Sequence, residues 1–175
     1  MKRTQRKLSQ IKRYFLMLFW LLFSVPVVII FLVLMINQAN LLQSPGIMPR
    51  LKIFFTTNIA EISPEPVLPE LTSPVYPLSQ QQLYDTVINA CESLQWTIAK
   101  KDPQQFRIDA VVTTSLWKFK DDIQLTILES ETNSSSLHAV SRSRVGRGDL
   151  AANSHHLQQL LSVLESSNQS SNRLK

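Results

Sequence analysis

Residues 141–161 read SRSRVGRGDLAANSHHLQQLL, and the period of the sequence changes partway along them. The first five alternate as a strand does, Gly146 and Gly148 break the alternation, and leucines then return at helical spacing. Asp149 stands where a capping carboxylate would meet the amides that the first turn of a helix leaves unpaired. The stretch therefore predicts strand, tight turn, N-cap and closing helix, with Leu150, Leu157, Leu160, Leu161 and Leu164 on one stripe. It also gathers Arg142, Arg144 and Arg147 at a single junction.

Upstream, residues 95–101, 106–114, 123–129 and 137–145 alternate with a period of two, separated by turn-formers such as Asp102-Pro103 and residues 133–136. Phe106, Ile108, Ala110 and Val112 share a face, as do Ile123, Leu125 and Ile127, while Arg107, Asp109, Thr113, Gln124 and Thr126 take the opposite side. One dry face and one wet face is the behaviour of an antiparallel sheet with helices on a single side. Before the strands, Leu83, Tyr84, Val87, Ile88, Cys91 and Leu94 fall at helical spacing, with Ser79 and Gln82 placed for a capping box. The expected fold class is α+β: a four-stranded antiparallel meander with two helices on one face over residues 79–165, preceded by one transmembrane helix. Residues 75–165 hold all of these elements and are expected to fold alone. Residues 166–175 read as a disordered polar tail.

The membrane helix is read from residues 15–36, which begin at Phe15, end at Ile36 and contain 22 consecutive positions without a charge. About 20 apolar residues cross a hydrocarbon core roughly 30 Å thick. The run exceeds the roughly 7 to 15 residues of a signal-peptide core and has no small residues before a cleavage point. Pro26 at mid-span is tolerable in a membrane, where neighbouring groups can satisfy the freed carbonyl. Lys2, Arg3, Arg6, Lys7, Lys12 and Arg13 make residues 1–14 a basic tail that should stay cytoplasmic, which puts the rest in the periplasm or a lumen. Residues 37–78 contain Pro45, Pro49, Pro64, Pro66, Pro69, Pro74 and Pro77 and read as a stalk. Within them LKIFFTTNIAEI, residues 51–62, is too apolar for a solvated linker. It could lie on the membrane, pack on the domain or add a strand.

Six of the 18 basic residues precede residue 14, whereas all 13 acidic ones follow residue 37, so the net charge of +5 belongs to the tail. The folded part is near neutral, and no nucleic-acid partner is expected. Cys91 is the single cysteine, which excludes an internal disulfide and a cysteine-based zinc cluster; it reads as a small buried hydrophobe.

Pro77-Leu78, Trp96, Phe119-x-Asp121-Asp122, the run from Ser141 through Gly146, Asp149-Leu150, Asn153 and the closing leucines together resemble the bacterial and plastid family known as domain of unknown function 1499. The resemblance covers about residues 75–165 in order. It implies a small exported or membrane-tethered domain and brings no established activity with it.

The candidate site is the junction itself, with Asp121, Asp122, Arg142, Arg144, Arg147, Asp149 and Asn153. Unpaired helix amides and arginine forks suit a phosphate, sulfate or carboxylate. In a purely structural reading, Arg142 and Arg144, which share a strand face, pair instead with Asp121 or Asp122. Asn153 lies on the stripe that should face the sheet, with the 145–148 turn, Arg142 or Asp121 as expected partners. Asp121 and Asp122 offer too few oxygens for a dedicated calcium loop. His155 and His156 point about 100° apart on a helix and, with His138, make no zinc signature; they read as ordinary surface or rim histidines. Ser143, His155 and Asp149 lack a nucleophile elbow. The tripeptide Arg147-Gly148-Asp149 enters a helix and is no displayed loop tip. Trp117, Lys118, Phe119 and Lys120 form a hairpin tip suited to a lipid surface, with Phe119 expected to tuck beside Asp121.

The expected function is a membrane-tethered, non-cytoplasmic binding or interaction module whose partner, besides the membrane, is an unidentified protein or anionic ligand. No cofactor, metal or catalytic residue is expected. The alternative is a hydrolase-like enzyme using Asp121, Asp122 and the arginines on a phosphate-bearing substrate.

Overall fold

The computed structural model describes residues 2–114, 118–131 and 133–173. Its first unit is one helix, α1 (Lys2–Ile36), which takes in the basic residues as well as the apolar run. Within it Gln10–Ile36, 27 residues with a mean hydropathy of 2.9, is long and apolar enough to cross a membrane. The apolar side chains from Ile11 to Ile29 are exposed, which sets the span apart from the buried core helix of a globular protein, and Leu34 near its end is buried. Pro26 stays inside the helix.

The second unit begins at Asn37. Its elements are α2 (Ile47–Thr56), β1 (Ile59–Ile62), a 3-10 turn (Pro69–Leu71), β2 (Val75–Tyr76), α3 (Gln80–Ser93), β3 (Thr97–Asp102), β4 (Arg107–Thr113), β5 (Lys120–Glu131), β6 (Ser134–Ser143) and α4 (Ala152–Arg173). The expected meander is present as β3 to β6, all antiparallel, but the sheet has six strands, in the order β1-β6-β5-β4-β3 with β2 also on β6. β1 takes one half of the β6 edge, pairing Ile62 with Ala139, and β2 takes the other, pairing Tyr76 with Ser135.

Alternation sorts the residues of each strand. Ile108, Ala110 and Val112 of β4, Ile123, Leu125 and Ile127 of β5, and Leu137 and Ala139 of β6 are buried. Against them pack Leu83, Tyr84, Val87 and Cys91 of α3 and Leu157, Leu160 and Leu164 of α4, two helices that also touch each other. The Ser79–Gln82 capping box starts α3 as expected. Cys91 is fully buried, and burial pushes its thiol up to about 12.

Residues 37–78 are not a stalk. Four of the seven prolines sit at the edges of elements: Pro49 in the first turn of α2 and Pro69 at the start of the 3-10 turn, where no intrahelical amide is needed, and Pro74 and Pro77 flanking β2. Phe54, Ile62, Leu68, Leu71 and Tyr76 are buried, so the apolar stretch 51–62 both packs on the domain and adds a strand. Arg50, which the sequence reading passed over, is fully buried. It meets Glu70 through two 2.7 Å contacts, and its Nε lies 3.0 Å from the Ser44 carbonyl oxygen. That guanidinium clamps residues 39–44 to the 3-10 turn. The expected tail is also corrected, since α4 continues to Arg173.

Candidate functional site

β6 carries the sequence Ser-Arg-Ser-Arg to the end of the sheet, and a strand presents successive side chains to opposite faces. Ser141 is buried and Ser143 half-buried, whereas Arg142 and Arg144 are exposed. β5 does the same with its adjacent carboxylates. The expected site thus divides in two, with Asp121, Asp149 and Asn153 inside and Asp122, Arg142, Arg144 and Arg147 outside.

The inner half centres on Asn153, which is fully buried. Its Oδ1 accepts the Ser141 hydroxyl, and its Nδ2 lies 2.9 Å from the Asn58 carbonyl oxygen, 2.8 Å from Ser143 Oγ and 2.7 Å from Asp149 Oδ2. Two amide protons are shared among three acceptors. The staple between α4 and the arginine strand is therefore made through that strand's serines, with Asn58 added, and not through Arg142, Asp121 or the 145–148 turn.

Asp149 caps the helix: Oδ1 accepts from the Ala151 amide at 3.0 Å and Oδ2 from the Asn153 amide at 3.0 Å. Burial raises its carboxyl above the ordinary range, partly offset by those same hydrogen bonds. Leu150 and Ala151 precede the helix with φ of 50° and 72°, a left-handed pair that side chains with a Cβ rarely adopt. The turn is held from the other side by α2. The Leu150 amide donates to the Phe54 carbonyl oxygen at 3.0 Å, and a Cβ on Gly148 would fall 2.7 Å from that oxygen and closer still to the Phe55 carbonyl. Only glycine fits there. Within the tripeptide Arg147-Gly148-Asp149, Gly148 is therefore committed to packing and Asp149 to capping.

Asp121, expected in a turn, belongs to β5, where it pairs with Ser143 in register and points inward. It is 1% exposed, with Oδ2 3.0 Å from His156 Nε2. His156 is 7% exposed and meets the ring of Trp96 edge to face at 6.5 Å. It is no surface histidine. His155 is half-buried, and burial lowers its pKa.

On the outer face Arg144 grips Asp122 with a fork, Nη2 to Oδ1 at 2.7 Å and Nε to Oδ2 at 2.9 Å, and this guanidinium holds the Asp122 carboxyl below its usual range. Of the two expected arginine pairings this one forms. Arg142 faces Asp122 in the β5–β6 register, and Arg142 and Arg147 are both exposed. At the neighbouring hairpin Phe119 is 50% exposed and not tucked under the turn; Trp117 lies outside the described residues. Among the described residues no group of three His, Cys, Asp or Glu side chains is placed to hold a metal ion.

Asn58, Ser141, Ser143 and His156 are the inner residues that the sequence reading missed. His156 had a signal, since it falls three residues after Asn153 and four before Leu160, on the buried stripe. Asn58 had none.

A family model described as "Protein of unknown function (DUF1499)" matches residues 55–164, from the end of α2 through most of α4. No curated protein matches the chain.

Proposed function

We propose that this chain, which belongs to the DUF1499 family, is a membrane-tethered module that binds an anionic group on the non-cytoplasmic side through the exposed arginines Arg142 and Arg147. The observation that carries the reading is the division of the junction into two faces. Asp149 accepts from the Ala151 and Asn153 amides and from the Asn153 side chain, so the helix N-terminus is already occupied and offers no free anion seat. The outer arginines remain exposed to solvent, with Arg144 committed to Asp122. Arginine forks favour phosphate and carboxylate groups. The hydrolase reading needs Asp121 and Asp122 to converge on one pocket with the arginines, and adjacent positions on β5 send them to opposite faces, which weighs toward binding.

The side of the membrane follows from the basic residues that precede the apolar helix. An export-dependent reporter fused after Lys175 should be active; activity of a cytoplasmic reporter there would place the domain on the other side. For the binding role, the full chain in nanodiscs of uncharged lipid is titrated with inorganic polyphosphate. Binding that is lost in Arg142→Gln/Arg147→Gln supports the reading, and binding unaffected by that change overturns it.

A further inference from the structure

Charge on the second unit is unevenly distributed along the strands. Lys118, Lys120, Arg142, Arg144 and Arg147 are all exposed at the end where β5 begins and β6 finishes. The ladder gathers them there: Thr113 pairs with Lys120, Asp122 pairs with Arg142, and the Arg144 amide donates to the Lys120 carbonyl oxygen at 3.2 Å. Of the three carboxylates at this end, Asp121 is buried against His156 and Asp149 is turned onto helix amides, which leaves Asp122 as the exposed one. At the opposite end Asp85 and Glu129 are exposed; Lys100, Lys101 and Arg107 stand there too, but Arg107 is paired with Asp109 at 3.2 Å and Lys101 with Glu92 at 3.4 Å. The start of α3 belongs to that acidic end, since Ser135 Oγ donates to the Leu78 carbonyl oxygen. A body that is near neutral in sum is therefore polar along its length.

The chain enters this body at the basic end. Asn37, the residue that follows α1, donates from Nδ2 to the Leu150 carbonyl oxygen at 2.8 Å, and Asn40 reaches Gln158 Oε1 at 3.3 Å. Among the cations stand apolar side chains with large exposed fractions: Phe55 at 45%, Phe119 at 50% and Val145 at 67%. Cations interleaved with exposed rings and aliphatic groups suit the boundary of a bilayer, where the charge meets lipid phosphate and the apolar group meets the acyl margin.

Resting on the anion-binding reading above, we infer that the anionic group is the headgroup layer of the bilayer that the apolar N-terminal helix enters, and that the basic end of the domain docks on it. Arg142, Arg147, Lys118 and Lys120 supply the attraction, and Val145 and Phe55 supply the contact at the acyl margin.

The test uses the full chain in nanodiscs, spin-labelled at Val145→Cys or, as the distal control, at Glu129→Cys; the buried Cys91 is out of reach of a water-soluble label. In discs containing phosphatidylglycerol, the label at 145 should be roughly threefold less accessible to a water-soluble relaxation agent than in phosphatidylcholine discs. The shielding should vanish in about 1 M salt, where the screening length is about 3 Å, and in Arg142→Gln/Arg147→Gln. The label at 129 should stay accessible in both discs. Equal accessibility of the label at 145 in the two lipids overturns the inference. If polyphosphate still binds through the arginines in that case, anion binding stands and only the lipid occupant falls; if neither is seen, both readings fall.

Discussion

Asn153 and Ser141, twelve residues apart, meet side chain to side chain beneath the sheet, the serine hydroxyl donating to the amide oxygen, and both are fully buried. The contact joins the first turn of α4 to the inner face of β6, and the same amide reaches Asn58 at the start of β1. Once Ser141 and Ser143 are held inward, the pleat obliges Arg142 and Arg144 to face out. The polar staple thus determines which side of the domain carries the cations.

Asn153→Leu should destabilise the domain even though leucine is the better helix former, because it strands the Ser141 hydroxyl and removes the donor to Ser143 Oγ, while the Asn58 carbonyl oxygen keeps the Ser143 amide. Each orphaned buried group costs about 1–3 kcal/mol. At about 2–4 °C per kcal/mol for a chain of this size, the melt should fall by several degrees. A melt equal to or above that of the unmodified protein would mean that the amide faces a cleft.

Gly148→Ala should be as damaging as the loss of the staple. The new methyl group would sit 2.7 Å from the Phe54 carbonyl oxygen, with backbone on that side and no flexible side chain to give way. Overpacking of this kind costs about 1–3 kcal/mol. Thermal unfolding checks it, and an unchanged melt would mean that α2 does not rest on the 148–150 turn.

A fragment of residues 75–165 should fail to fold cooperatively, while residues 37–175 should do so. The shorter fragment removes β1 from the β6 edge and strips Phe54, Ile62, Leu68 and Leu71 from the core. Denaturant titration followed by circular dichroism separates the two, and a cooperative transition in the short fragment would show β1 to be dispensable.

Acid should weaken the fold through His155. Burial first, and then the neighbouring His156, depress its pKa below the ordinary 6.5. Above about pH 7 both folded and unfolded imidazoles are neutral and the residue contributes no slope. As pH falls through the unfolded value, the unfolded chain takes up a proton that the folded one resists, so stability drops until the folded imidazole titrates too. His155→Gln should flatten the stability profile between about pH 7 and 5.5 relative to the native protein. Identical slopes in the two proteins would contradict the assignment. Asp149 acts with the opposite sign at lower pH, since its raised carboxyl pKa favours the folded state as acid protonates it.

Periodicity made the meander, both packed helices, the capping box and the apolar span readable, because each depends on local spacing. β1 was obscured by its length of four residues and by Pro64 and Pro66 just after it, since clustered prolines signal irregular chain. The start of β5 was misread as a turn because Asp121 and Asp122 are poor strand formers; the ladder with β4 and β6 overrides that preference, and His156 compensates the buried carboxylate. Ion pairs such as Arg50 with Glu70, twenty residues apart, leave no periodic trace. The residues expected at the junction fall on two faces because adjacent positions on β5 and β6 alternate, a division that spacing along each strand carries but that no single motif displays.

The claim on which the functional reading rests is that the two faces of β6 have separate roles, the inner one holding the fold and the outer one free to bind. The most direct measurement is the thermal melt of Arg142→Gln/Arg147→Gln. Substitutions at exposed positions outside a structural network shift stability by about 0.5 kcal/mol or less each, so the pair shifts the melt by roughly 2–4 °C at most. A melt unchanged within that margin is the expected result. A fall as deep as that of Asn153→Leu would place the arginines in the scaffold and contradict the separation of the two faces.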